Sequence, residues 1–264
     1  MKPTLDLLTA WATEAGELIA RLRGDQLVLD YKPGNELVTN ADVAADQLIT
    51  DHIRRHFPTH QILAEESASK LQDIADLNGP LWIIDPIDGT VNYAHGHSHV
   101  AVSIAFYEHV VPQLGVVNAP FQQETFSAER GKGAWLNGQP IQPNKVAVMK
   151  NAVVGTGFPY DKVPELPLLL ARLETVLRNC ADIRRNGSAA LDICWVACGR
   201  LSAYYETVSL WDCAAAQLIA TEAGAHYGHI WPPLNGLPTS MASENLLVTN
   251  PYLFDELQTL LAEQ

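Results

Sequence analysis

Basic side chains are scarce in this sequence. Lys and Arg number 17 against 30 Asp and Glu, a formal charge of −13 over 264 residues. Such a balance repels nucleic acid and anionic membranes at long range and excludes a DNA binder that works through a basic footprint. Cysteine is scarce too: Cys180, Cys194, Cys198 and Cys213 are the whole set, with no CxxC pair and no Cys/His metal spacing. Cys194 and Cys198 fall on one face of an apolar helix, so the set reads as buried structural thiols of a reducing, cytoplasmic compartment. Apolar runs of the ~20 residues that span a bilayer are absent. The N-terminal segment carries acids inside its apolar stretch, so neither signal peptide nor membrane anchor is expected. No Gly-x-Ser-x-Gly elbow and no Walker loop occur, which removes serine hydrolases and nucleoside triphosphatases.

What is present is a globular composition, 47% apolar and 18% charged, sized for one large or two fused units. Leu5, Leu8, Trp11, Ala15, Ile19 and Leu22 predict an opening amphipathic helix stopped by Gly24, and residues 42–56 predict a second. Gln61 to Ala64 reads as a short strand, and Leu81-Trp-Ile-Ile84 as a buried strand halted by Asp85-Pro86. Strands are expected over 99–106 and 110–117, followed by a hairpin at Asn137-Gly138. The second half alternates strands near 152–155, 203–206, 225–230 and 246–248 with helices near 164–178, 188–198, 212–223 and 251–262. Hairpins mixed with helices favour layered sheets over a doubly wound parallel sheet. The stretch 140–151 is the best boundary, giving halves 1–145 and 146–264 of one compact unit.

The most informative segment is Asp85-Pro-Ile-Asp-Gly-Thr-Val-Asn-Tyr93. Two carboxylates three residues apart at the end of a buried strand are costly unless a cation neutralises them. Asp85, Asp88 and the Ile87 carbonyl are oxygen ligands of the kind Mg²⁺ takes, and the amides of Gly89 and Thr90 suit phosphate oxygens, with Thr90 expected as a helix N-cap. Alone, the same pattern also describes a tight turn. Other acids end or begin elements: Glu65-Glu66 after a strand, Asp42 and Asp212 at helix starts. Singly, these too have plain readings, as a solvated pair and as helix caps.

As an ordered set they resemble the inositol monophosphatase family, lithium-sensitive, metal-dependent sugar phosphatases in a superfamily with fructose-1,6-bisphosphatase. The likeness covers nearly the whole chain: Glu36-Leu-Val-Thr-Asn-Ala-Asp42, Glu65-Glu-Ser67, the complete segment 85–93, the hairpin 131–141, Gly187-Ser-Ala-Ala190, Ala203-Tyr-Tyr-Glu206 and Trp211-Asp-Cys-Ala-Ala215. Glu36 departs from the family's usual Asp, and Thr207 to Leu210 match no specificity loop. The resemblance implies an α+β fold, a layered αβαβα sandwich with mixed and antiparallel sheets between helix layers. It implies that Glu65, Asp85, the Ile87 carbonyl, Asp88 and Asp212 bind up to three Mg²⁺ ions. Asp42, Glu65 and Thr90 would be catalytic, orienting and activating a water. Asp88, Gly89, Thr90, Gly187, Ser188, Ala189 and Glu206 would contact a small phosphate ester, with the Glu206 carboxylate suited to vicinal hydroxyls. Lys32 matches a lysine of the family's N-terminal loop.

Asn92-Tyr93 resembles the branch acting on myo-inositol-1-phosphate and related polyol phosphates. Fructose-1,6-bisphosphate, the 2'-phosphate of NADP, histidinol phosphate and adenosine 3',5'-bisphosphate are alternatives, as is a regulatory or binding homologue. A homodimer is implied, and neither nucleic acid nor membrane is expected as partner. His95, His97 and His99 alternate after the central motif, which offers a metal cluster as one reading; the other expects His95 and His97 at the rim of the site or a subunit contact.

Overall fold

Apolar residues three and four apart build α1 (Leu5–Leu22), which buries Leu8, Trp11, Ala12, Ala15 and Ile19. Thr4 caps its start, and the helix closes on Arg23, one residue before Gly24. The computed structural model describes residues 2–24, 27–32, 36–67, 78–159, 163–233 and 237–264. A two-stranded ribbon, β1 (Leu29–Lys32) with β2 (Glu36–Thr39), leads into α2 (Asn40–His56). Together α1 and α2 cover one face of a seven-stranded sheet.

That sheet runs in the order β3 (Gln61–Ala64), β4 (Leu81–Asp88), β5 (Ala101–Glu108), β6 (Val111–Ala119), β7 (Glu124–Glu129), β8 (Gly133–Leu136), β9 (Gln139–Pro140). Only β3 and β4 are parallel; every later pair is antiparallel. The β8–β9 hairpin turns on Asn137 and Gly138, at φ 50° and 77°, the positive pair that this turn requires. The β5–β6 connection turns on His109 and Val110, also at positive φ, so both strands lie a little later than their hydrophobic runs predict.

One departure from expectation shapes the site. The strand does not halt at Asp85-Pro86 but continues to Asp88. Its pairing steps from Asp85↔Ser103 to Asp88↔Ala101, three residues against two, which is a β-bulge. The bulge accommodates Pro86, which has no N–H for the ladder. It also changes the parity of the strand: residues three apart in a regular strand point to opposite faces, and the extra residue returns Asp88 to the face of Asp85.

A five-stranded sheet follows, in the order β11 (Asp182–Arg184), β10 (Val153–Thr156), β12 (Ala203–Glu206), β14 (Leu246–Thr249), β13 (His226–His229). It is mixed, with β10 parallel to β11 and β12 and the other pairs antiparallel. Between the two sheets lie α5 (Ala189–Ala197) and α6 (Leu210–Ala223), whose apolar residues join one core with both. α6 is apolar all round and buried from Cys213 to Ala220, as a helix between two sheets must be. Its alanines permit close approach: a Cβ added at Gly115 of β6 would lie 2.7 Å from the Ala215 carbonyl oxygen. On the far face of the smaller sheet, α4 (Leu166–Asn179) and α7 (Phe254–Ala262) close a third core. The architecture is therefore an α+β layered αβαβα sandwich. The chain passes from one sheet to the other between Pro140 and Val153. No helix among the described residues is long and apolar enough to cross a membrane. Cys180, Cys194 and Cys213 are buried and all four thiols are free.

Candidate active site

The ends of β3, β4, β10 and β12 and the starts of α3 (Thr90–Ala94), α5 and α6 converge on a cavity of about 400 Å³. Glu65, Asp85, Ile87, Asp88, Gly89, Thr90, Gly187, Ser188, Ala189, Glu206 and Asp212, all singled out in the sequence, line it. Oxygen atoms of Asp85, Asp88 and Asp212 lie within 4.8 Å of one another, the one such carboxylate, histidine or thiol group of three or more among the described residues. His95, His97 and His99 form no such group. His95 and His97 are exposed, whereas His99 is buried. The Lys32 side chain lies outside the described residues.

Each carboxylate is placed by a local device. Asp85 Oδ1 accepts from the Ile87 amide at 2.9 Å, within the bulge. Asp88 is held by the start of α5: its Oδ2 accepts from Ser188 Oγ at 2.5 Å and the Ala190 amide at 2.7 Å, its Oδ1 from the Ala189 amide at 3.2 Å. Asp212 and Asp42 occupy the third position of α6 and α2 and close capping boxes with Ser209 and Thr39. The cap reading of both acids is thus correct, and for Asp212 it coexists with a place in the cavity lining. Asp42 does not line the cavity. It is fully buried behind Thr90, accepting from the Thr39 amide at 2.7 Å and Thr39 Oγ1 at 2.6 Å. Thr90 Oγ1 stands 3.2 Å from Asp42 Oδ1 and 3.1 Å from the Ile87 carbonyl oxygen. Thr90 is not the N-cap expected of it. Gly89 is, at φ 93°, and Thr90 opens the helix. The position requires glycine, since an added Cβ would meet the Gly187 and His99 carbonyls at 3.0 Å.

The electrostatics of this floor are unfavourable as they stand. Burial and the charges of Glu65, Asp88 and Asp212 push Asp85 well above the usual carboxylate range, and burial with Asp88 does the same to Asp212. Burial raises Asp88 to about 6 against the pull of its hydrogen bonds, and Asp42 likewise to about 6. Glu206, across the cavity, is raised to about 7 by burial and bonds the Tyr204 hydroxyl. It comes so close to β10 that a Cβ at Gly157 would lie 1.9 Å from its Oε2. A buried all-oxygen donor set whose members repel one another fits a hard divalent cation.

Supporting residues join the segments around the site; Arg23 and Asp192 carried no sequence signal, whereas Asn92 stood in the central motif. Arg23 donates to the Tyr93 carbonyl at 3.0 Å, the Asn92 carbonyl at 3.1 Å and the His97 carbonyl, with its guanidinium 4.0 Å over the Phe121 ring, so it ties the end of α3 to α1. Asn92 Nδ2 donates to the His99 and Asn186 carbonyls, both at 2.8 Å, joining α3 to the turn before α5. Asp192 lines the cavity and accepts from Asn186 Nδ2 at 2.6 Å and His99 Nε2 at 3.1 Å. These pairings join segments as much as 94 residues apart, beyond the reach of motif spacing.

A family model described as the inositol monophosphatase family matches residues 1–264. The chain belongs to the inositol monophosphatase family. Among its relatives within and around this family, the Nus factor SuhB of Pasteurella multocida is 36% identical over 260 residues, 97% of this chain and 95% of that one. Inositol monophosphatase 1 of Solanum lycopersicum is 36% identical over 246 residues, 92% and 88% of the two chains. The solved Thermotoga maritima IMPase superposes with a TM-score of 0.85 at 31% identity, covering 98% of this chain and 96% of that one. The inositol monophosphatase from Anabaena gives 0.83 at 34%, covering 98% and 95%. In this member of the inositol monophosphatase family, Asp85 and Asp88 stand at the end of β4, Glu206 at the end of β12 and Asp212 at the start of α6.

Proposed function

We propose that this protein is a Mg²⁺-dependent phosphate monoester hydrolase acting on small polyol or sugar phosphates, myo-inositol-1-phosphate first among them. The observation that carries this reading is the convergence of Asp85, Asp88 and Asp212 at the floor of one cavity. With Glu65 and the Ile87 carbonyl, they would hold up to three Mg²⁺ ions. When bound, these cations supply neutralisation of the phosphate dianion and of the departing alkoxide, and acidify a water.

The chain's own groups do the rest. The Thr90 hydroxyl directs its proton to Asp42 or to the Ile87 carbonyl, which leaves its lone pairs to accept from a water and fix that water's orientation. Asp42 is itself fixed by Thr39, so the hydroxyl has a defined partner. Glu65 lines the same cavity and takes the proton of the attacking water. The amides of Gly89 and Thr90 receive phosphate oxygens. On the alcohol side, Gly187, Ser188 and Ala189 line the cavity and Glu206 accepts from substrate hydroxyls. The phosphate ester is attacked in line by water, with no covalent phosphoenzyme.

The same reading carries lithium sensitivity, a homodimer, a cytoplasmic location and the halves 1–145 and 146–264 as parts of one unit. A second role beside hydrolysis has one specific support, the name Nus factor borne by relatives 35% to 39% identical to this chain. A phosphate-release panel tests the primary reading: myo-inositol-1-phosphate, fructose-1,6-bisphosphate, NADP, histidinol phosphate and adenosine 3',5'-bisphosphate, each with and without Mg²⁺. Cation-dependent release with myo-inositol-1-phosphate in front is expected; no release from any of them favours the non-enzymatic role.

A further inference from the structure

Besides Glu206, the alcohol side of the cavity has a second carboxylate. Asp192 stands one helical turn after Ser188 and Ala189 at the start of α5, so it faces the same way as they do and lines the same cavity. It is only 1% exposed, and a carboxylate so deeply buried ordinarily has donors on both oxygens. Asp192 has them on one. Its Oδ1 accepts from Asn186 Nδ2 at 2.6 Å and from His99 Nε2 at 3.1 Å. Its Oδ2 accepts from no group among the described residues, and it is not one of the sealed polar atoms of the interior, so its opening is toward the cavity. Nor does Asp192 belong to the carboxylate cluster of Asp85, Asp88 and Asp212.

The donors on Oδ1 are themselves fixed. Gln122 Nε2 donates to the Ser98 carbonyl at 3.3 Å, which sets the orientation of that amide. The same nitrogen stands 3.3 Å from His99 Nδ1 and can only donate, so Nδ1 accepts and the proton of the neutral ring sits on Nε2, toward Asp192. The Trp195 ring meets the imidazole edge-on, with centroids 4.8 Å apart, and holds its plane. Asn186 is anchored through its carbonyl to Asn92. Two donors converging on Oδ1 fix the carboxylate plane and leave Oδ2 as the acceptor presented to a ligand. Glu206 bounds the same space: burial raises it to about 7, the Arg185 charge pulls it down and the Asp192 charge pushes it up. An alcohol without hydroxyls leaves both carboxylates short of a donor, whereas a polyol can serve the two together.

We propose that Asp192 is a specificity-determining contact for the alcohol half of the substrate, its Oδ2 accepting from a hydroxyl of the phosphate ester other than the one that meets Glu206. This deepens the hydrolase reading and rests on it. His99 and Asn186 act through Asp192, by holding Oδ1 so that Oδ2 keeps one direction. The substrate class is a polyol phosphate with at least one free hydroxyl for each of the two carboxylates.

Myo-inositol-1-phosphate and cyclohexyl phosphate test this, because they share a six-membered ring and a phosphate ester and differ in the free hydroxyls. Wild type with Mg²⁺ is expected to favour the inositol ester in kcat/KM, and equal values overturn the proposal. In Asp192→Asn the side chain keeps its size and its carbonyl oxygen still accepts from His99 and Asn186, while an NH₂ replaces Oδ2 toward the cavity. The ratio of kcat/KM between the two esters is expected to fall about tenfold or more, chiefly through KM for the inositol ester, the scale of a hydrogen bond to a charged group. A ratio that stays at its wild-type value, with both esters slowed alike or neither slowed, means that Asp192 only braces α5 and overturns the proposal. Where cyclohexyl phosphate turns over too slowly, its inhibition constant takes the place of kcat/KM, and where Asp192→Asn fails to fold, Asp192→Ser carries the same comparison. If wild type releases phosphate from neither ester, it is the hydrolase reading that fails. Calorimetric titration of both esters with Mg²⁺ present then decides the contact: tighter binding of the inositol ester, weakened in Asp192→Asn, upholds it, and no preference ends it.

Discussion

The two sheets meet the cavity in different ways. From the seven-stranded sheet, β4 delivers Asp85 and Asp88 within one contiguous segment, and the same segment continues into Gly89 and Thr90. From the five-stranded side, Glu206 arrives at the end of β12 and Arg185 from the turn before α5, each on a separate piece of chain. The proposed reaction end is thus encoded in part locally, in a bulged strand and a turn, with Asp42, Glu65 and Asp212 brought in from other segments. The proposed recognition end is assembled by tertiary packing, from segments other than the strand proposed to carry the chemistry. This division says where substitutions should change rate and where they should change selectivity.

Damage to the floor should be most severe. Asp88→Asn is expected to lower kcat by at least about 10³-fold, roughly 4 kcal/mol of barrier, while circular dichroism and melting remain those of a folded protein, since a buried charge is removed rather than added. Retention of near-wild-type turnover would detach β4 from the chemistry. Thr90→Ala removes the hydroxyl that orients water and should cost about 10²-fold in kcat with little change in KM; a loss confined to KM would move Thr90 to the recognition side. Glu206→Gln belongs to the other end, and its expected effect is about tenfold in KM for myo-inositol-1-phosphate, read from steady-state kinetics. If kcat fell instead and KM held, the two ends would not be separable.

The smallest effect is on stability and tests the acidic floor without turnover. Asp42 and Asp88 have folded-state values of about 6, above their ordinary range through burial, and Asp85 and Asp212 lie higher than usual for the same first reason. The folded state therefore keeps protons that the unfolded chain has shed. That contribution is complete below the ordinary carboxylate range and is lost as pH rises through about 6. Chelator-treated protein should melt lower at pH 8 than at pH 5, by about 5 °C. Mg²⁺ should raise the melting point more at pH 8, where it competes with fewer protons. A melting point that rises from pH 5 to pH 8 without metal would mean that the acids do not repel one another as their burial implies.

How much of this could be read from residues alone follows the same division. Segment 85–93 was legible because a proline, two acids and a glycine in that spacing have few structural uses, and helices α1 and α2 were legible from their apolar periodicity. The continuation of β4 past Pro86 was not, because a proline normally ends a central strand and only the pairing with Ser103 and Ala101 reveals the bulge. Gly89 rather than Thr90 caps α3 because the turn needs a positive φ, which outweighs the side-chain preference for threonine. Arg23, Asn92 and Asp192 act through partners distant in sequence. No local pattern encodes a partner that lies many residues away.

The central claim is that the acidic floor is a cation-dependent phosphate-hydrolysing centre. Phosphate release from myo-inositol-1-phosphate, followed in chelator and then on return of Mg²⁺, tests it most directly. The account predicts no release in chelator and release restored with the cation, abolished by Asp88→Asn. Release undiminished by chelator, or none from any polyol or sugar phosphate with Mg²⁺ present, would contradict it.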